Sequence, residues 1–64
     1  TQALRVVRPA RLLANSKGSG KAVRDLDPGM LLYPTGQKDG LMWEVEDELG
    51  NAGWVNSTMT ELAK

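Results

Sequence analysis

Residues 40–62 read Gly-Leu-Met-Trp-Glu-Val-Glu-Asp-Glu-Leu-Gly-Asn-Ala-Gly-Trp-Val-Asn-Ser-Thr-Met-Thr-Glu-Leu. Leu41, Trp43 and Val45 alternate with Met42, Glu44 and Glu46. A period of two is the repeat of a β-strand, so the first set is expected to face inward and the second outward. Gly50-Asn51 marks a turn, and Gly53-Trp54-Val55 opens a return strand. This hairpin carries both tryptophans of the chain. It constrains the fold to a small antiparallel β structure, because no other segment has the length or periodicity for an amphipathic helix.

The remaining extended stretches are short. Residues 4–7 and 11–14 are rich in aliphatic residues and flank Pro9, which implies a bend or an edge position. Residues 15–21, Asn-Ser-Lys-Gly-Ser-Gly-Lys, form a loop, and 22–26 is extended again. Asp27-Pro28-Gly29 is a turn in which proline presets φ. Residues 30–33 form an apolar strand, and 34–40 form a polar loop. After the hairpin, Ser57–Met59 suits one tight 3₁₀ turn before a last strand at 60–62. Strands at roughly ten-residue spacing with turn signals between them describe an all-β fold, expected here as a small five-stranded barrel.

At 64 residues the chain is a single domain. A domain of this size buries only about 60% of its unfolded surface. It has no cysteine and no histidine, which excludes a disulfide brace and argues against a zinc staple. The core is therefore expected from aliphatics and the two tryptophans. Net charge is zero. Residues 1–32 nevertheless hold six basic and two acidic side chains, and residues 33–64 hold two and six. In a small interleaved sheet such halves are expected to face each other across strands. No run of about 20 apolar residues is present to span a membrane. The sequence opens on Thr1, and it is read as one module of a larger protein.

Three motifs resemble a known family. Leu26-Asp27-Pro28-Gly29 before an apolar strand resembles the Leu-x-x-Gly of SH3-like domains. Met42-Trp43-Glu44-Val45 resembles their Trp-containing strand. Gly50-Asn51-Ala52-Gly53-Trp54-Val55-Asn56-Ser57 resembles their closing Gly-x-x-Gly-Trp-Val-x-Ser. The likeness covers about residues 10–62 and is nearest to the bacterial SH3 (SH3b) domains. It implies an SH3-like barrel used as an accessory module of cell-envelope or secreted proteins, some of which recognise peptidoglycan. SH3 domains that bind proline-rich peptides have a Trp at the position of Met42, a Pro at Asn56 and a Tyr at Met59. Without those aromatic walls no polyproline helix is clamped, so no proline-rich ligand is expected. The Asn-Val-Arg stretch of many SH3b domains is replaced by Leu12-Leu13-Ala14-Asn15.

The candidate ligand-binding residues are Tyr33, Met42, Trp43, Glu44 and Met59. Tyr33 ends a strand before Pro34, where its ring is expected at the barrel rim. Under the resemblance, Met42 and Met59 lie side by side in the groove position, as flexible, polarizable side chains suited to adaptable surfaces. Glu44 and Glu46 beside them favour an apolar ligand with a cationic end. Trp43 and Trp54 are read chiefly as structural, with the Trp54 ring over Gly53.

Other motifs are set aside. Gly18-Ser19-Gly20-Lys21 has Asn15 and Ala22 where a phosphate loop needs Gly and Ser or Thr. Asp25-Leu26-Asp27 and Asp47-Glu48 lack the remaining ligands of a calcium loop and are expected to be solvated turn carboxylates. Asn56-Ser57-Thr58 matches a glycosylation sequon. No cofactor is expected, and no catalysis, since a barrel this small is filled by its own side chains. The expected function is a noncatalytic binding module of the bacterial envelope, periplasmic or secreted, taking a peptide, a peptidoglycan fragment or a partner domain. The alternative is a structural domain packing on its own chain or on copies of itself. Nucleic-acid binding is disfavoured by the balanced charge and the three aromatics.

Overall fold

A computed structural model describes residues 2–17 and 21–63. The Gly18-Ser19-Gly20 part of the glycine-rich loop lies outside the described residues. The chain is all-β: β1 (Leu4–Val6), β2 (Ala10–Leu13), β3 (Ala22–Leu26), β4 (Leu31–Asp39), β5 (Met42–Glu46), β6 (Ala52–Asn56) and β7 (Thr60–Leu62), with a 3₁₀ turn at Ser57–Met59. The strands form one antiparallel sheet in the order β3-β2-β6-β5-β4-β1-β7. The expected count of five becomes seven, because Pro9 separates β1 from β2 and β7 pairs as a strand of its own. The ladders leave β3 and β7 as the two ends of the sheet, so it is not closed into a barrel.

The 3₁₀ turn before the last strand is present where the sequence places it. Asn56 caps it, its side-chain oxygen accepting the Thr58 amide at 2.9 Å and the Thr58 hydroxyl at 2.7 Å. The Asp27-Pro28-Gly29 turn closes with the Met30 amide donating to the Asp27 carbonyl. It is tied to β1 by two further bonds, Gly29 amide to Val6 carbonyl and Val6 amide to Met30 carbonyl.

Two sequence expectations are corrected in the β4–β5 hairpin. Residues 34–40, read as a loop, are mostly strand, because β4 continues to Asp39. The ladder pairs Pro34 with Val45 and then Lys38 with Trp43, so β4 carries two extra residues around Gly36. A bulge absorbs them and lets proline, which has no N–H to give, sit inside a strand. Leu41 is not inward but 61% exposed. Asp39 pairs with Met42, so Gly40 and Leu41 are the two residues of the turn itself.

Seven aliphatic side chains make the core: Leu4, Val6, Leu12, Leu26, Leu32, Val45 and Val55, none more than 2% exposed. Every strand from β1 to β6 contributes to it. The tryptophans do not belong to it. Trp43 is half-buried and packs against the core edge. Trp54 lies between two buried neighbours, Gly53 and Val55, and so points to the opposite face.

β4 joins the two parts of the sheet. Its first residues pair with β1 (Leu4 with Leu32, Arg5 with Leu31), and its later ones with β5. The other junction, β2 with β6, has a single registered pair, Leu13 with Trp54. There Gly53 is pressed against β2. A Cβ at Gly53 would lie 2.6 Å from Leu12 Cγ and 2.9 Å from the Leu13 carbonyl oxygen. The expected stacking of Trp54 on Gly53 is thus replaced by Leu12 filling the space above the glycine.

The charged halves do interleave. Arg5 meets Glu61 across β1 and β7 at 3.4 Å, and Arg24 meets Asp47 at 3.0 Å and Glu48 at 3.1 Å. Arg11 pairs with Asp25 within the first half at 3.7 Å.

Gly53→Ala should destabilise the fold by about 1–3 kcal/mol, the usual cost of forcing an extra carbon into a packed site. A urea titration followed by tryptophan fluorescence measures it; an unchanged midpoint would refute the close approach of β2 and β6.

Candidate functional site

The outward face of the β4–β5–β6 meander follows from the register. Val45 is buried, opposite Gly53, which is also buried. The flanking residues Glu44 and Glu46 therefore point outward with their partners Trp54 and Ala52. Met42 joins them, opposite Asn56, and Tyr33 joins them, opposite Glu46. Leu13 of β2 extends the face beyond Trp54.

Of the five candidate residues, the fold brings Tyr33, Met42 and Glu44 to this face. Tyr33 is 41% exposed, while Met42 and Glu44 are half-buried. Trp43 is on the other side of the sheet. Its ring takes the Lys38 ammonium at 4.3 Å from the centroid, a contact worth about 0.5–1 kcal/mol at an exposed position. Met59 is half-buried in the 3₁₀ turn, its carbonyl accepting the Val7 amide. It is fastened toward β1, whereas Met42 is registered against Asn56 of β6, so the two methionines are not cross-strand partners. Trp54 was missed as a member of the outward face. The period of two finds it, because Trp54 stands one residue from inward Val55 and so faces the other way.

The electrostatics of this face are one-sided. β4, β5 and β6 contain one basic residue, Lys38, and it lies over Trp43 on the opposite side. Glu44 accepts the Thr35 hydroxyl on Oε1 at 2.8 Å, which holds its carboxylate against β4. Glu46 is exposed beside Tyr33.

A second charged cluster is structural. Asp47, expected as a solvated carboxylate, is 2% exposed. Its Oδ1 accepts the Leu49 amide at 2.9 Å and the Asn51 amide at 2.8 Å. Its Oδ2 accepts the Asn51 side-chain amide and the Arg24 guanidinium, each at 3.0 Å. The Gly50 amide closes the turn onto the Asp47 carbonyl, with Gly50 at φ 85°, a conformation that favours glycine. Burial pushes the Asp47 carboxyl up. The bonds from the Asn51 side chain and backbone, Arg24 and Leu49 outweigh that and hold it at about 2, below its ordinary 3.8.

Elsewhere, a shallow hollow of about 340 Å³ lies at the base of the β2–β3 hairpin, lined by Pro9, Ala10, Arg11, Asp25, Leu26 and Asp27. It includes none of the candidate residues. Among the described residues no group of three carboxylate, thiol or imidazole side chains is placed to hold a metal ion, and no helix is long and apolar enough to cross a membrane. Compared with known protein families, curated proteins and solved structures, the chain matches none of them.

The depressed Asp47 carboxyl fixes a pH window. Ionised Asp47 stabilises the fold at any pH above about 4, and that contribution is lost as pH falls through about 2. Asp47→Asn should lower the urea midpoint at neutral pH and flatten its fall across that acid range. Urea titrations at neutral pH and through the acid window check this; a variant with the wild-type acid profile would exclude Asp47 as its source.

Proposed function

We propose that this chain is a noncatalytic binding module whose working surface is the outward face of the β4–β5–β6 meander. One observation carries the reading: the face keeps Tyr33, Met42 and Trp54 only partly covered by the chain itself, beside two carboxylates without basic partners on the same strands. An apolar surface left uncovered in a domain with so small a core offers burial to a ligand. The 3₁₀ turn before β7 and the Gly53-Trp54-Val55-Asn56-Ser57 segment, which runs from β6 into that turn, support an SH3-like architecture of the bacterial SH3b type, here in an open, seven-stranded form. Under that reading the ligand is a peptide, a peptidoglycan fragment or a partner domain. The site of action is the bacterial envelope or the extracellular space. Met59 belongs to the rim of the surface, and Trp43 supports it from beneath.

A second reading draws on a different observation. Leu62 is 55% exposed on the end strand β7, and Leu31 is 41% exposed on the outward side of β4. These support a structural domain that packs on copies of itself. Sedimentation of the chain across a range of concentrations separates the readings, since only self-association gives a concentration-dependent mass.

Purified peptidoglycan sacculi and the peptides released from them are the direct probe of the first reading. Co-sedimentation should deplete the wild-type chain, and Met42→Ser with Met59→Ser should weaken it severalfold while changing the unfolding free energy from urea titration by no more than about 1 kcal/mol. Equal capture of wild type and variant would remove the methionines from the surface. No capture of either would remove the cell-wall ligand.

A further inference from the structure

The two outward carboxylates of β5 are each matched with an aromatic ring. Glu44 stands directly opposite Trp54 on β6. Glu46 stands directly opposite Tyr33 on β4. Directly opposed side chains of an antiparallel pair have Cβ atoms about 4.5–5.5 Å apart, so each pair sets an anionic group beside an aromatic ring. Glu44 and Glu46 are two residues apart on one strand, hence about 7 Å apart along it. The pairs lie on opposite sides of β5, which gives two similar half-sites staggered along a single strand direction.

We propose that these two pairs hold the basic side chains of an extended peptide at positions i and i+2. This rests on the outward face being the binding surface and names what that surface selects. A Lys or Arg head placed between a carboxylate and an aromatic ring gains both the ion pair and the attraction of the cation to the ring. The neighbouring Lys38–Trp43 contact shows the cation-over-ring half of that geometry within this chain, at 4.3 Å. An extended ligand repeats every second residue at the same pitch as β5 itself, so alternating basic residues meet successive pairs while the residues between them face away. Charge complementarity selects such a ligand over a neutral one, because the three strands put no cation on this face. Glu44 keeps Oε2 for the ligand while Thr35 holds Oε1. Half-buried Met42 and Leu13 supply apolar contact at the end of the track nearest Trp54 and Asn56.

The test uses fluorescein-labelled nonapeptides of equal charge, one with lysines at alternating positions and one with the same lysines consecutive, together with a neutral serine-substituted control. Binding to the full chain is read by fluorescence anisotropy, for wild type, Glu44→Gln, Glu46→Gln and Trp54→Phe. The alternating peptide should bind about fivefold or more tighter than the consecutive one. Each Gln variant should lose about fivefold, near the worth of one ion pair with its ring contact. Urea midpoints certify that each variant folds, and a Glu61→Gln variant off this face should leave binding unchanged. Equal binding of both lysine peptides, or binding untouched by the Gln variants, overturns the proposal. Binding of the neutral control or of sacculi that Met42→Ser weakens and Glu44→Gln does not would overturn it while the binding-module reading stands. If none of these probes binds the face, both fall together.

Discussion

The fold depends on a missing side chain. Gly53 lets Leu12 descend to where any Cβ would be, and on that contact β2 is laid across β6. β2 in turn carries β3, which has no other ladder partner. From β3, Arg24 reaches Asp47 and Glu48 at the turn between β5 and β6. One close approach therefore orders two strands and completes the hydrogen-bond set of a buried carboxylate. Without it, Asp47 would be a buried anion lacking its cationic partner, an arrangement that costs far more than a surface ion pair contributes.

The same geometry separates the work of the two faces. Inward residues of β5 and β6, Val45 and Val55 with Gly53, are committed to packing. Because the strand period is two, every residue between them is released to the outer face. The core is wholly aliphatic, and the aromatics are left at its edge or outside it. A chain of this size would ordinarily bury its tryptophans for the area they offer. Here leucine and valine side chains fill the interior, and the rings stay at its edge or outside it.

Much of this was legible from residue order alone. The alternation from Met42 to Glu46, the Asp27-Pro28-Gly29 turn and the 3₁₀ turn at Ser57–Met59 are local signals, and local structure obeys them. What local reading missed depends on partners distant in sequence. Asp47 looks like any turn carboxylate until Arg24, 23 residues away, arrives. Residues 34–39 look like a loop because Pro34 and Gly36 are poor strand residues; β5 makes them a strand by pairing with them through a bulge. Leu41 fits the alternation but falls in the turn, since the position of a hairpin turn is set by the register of both strands. Of the candidate site, the outward set of Met42 and Glu44 and the inward turn of Trp43 follow from the alternation along β5, while bringing Tyr33 and Trp54 onto the same face as the glutamates required the register of three strands.

The strand order also has a consequence for how the chain assembles in time. β4, β5 and β6 are consecutive in sequence and adjacent in the sheet, so their hairpins close over short loops. β1 must find β7 across nearly the whole chain, and β2 must find β6 across some forty residues. Loop-closure entropy delays such pairings until they have a surface to dock on. The meander is then expected to form early and to offer the surface on which the ends of the chain condense, its outer face complete before the sheet around it.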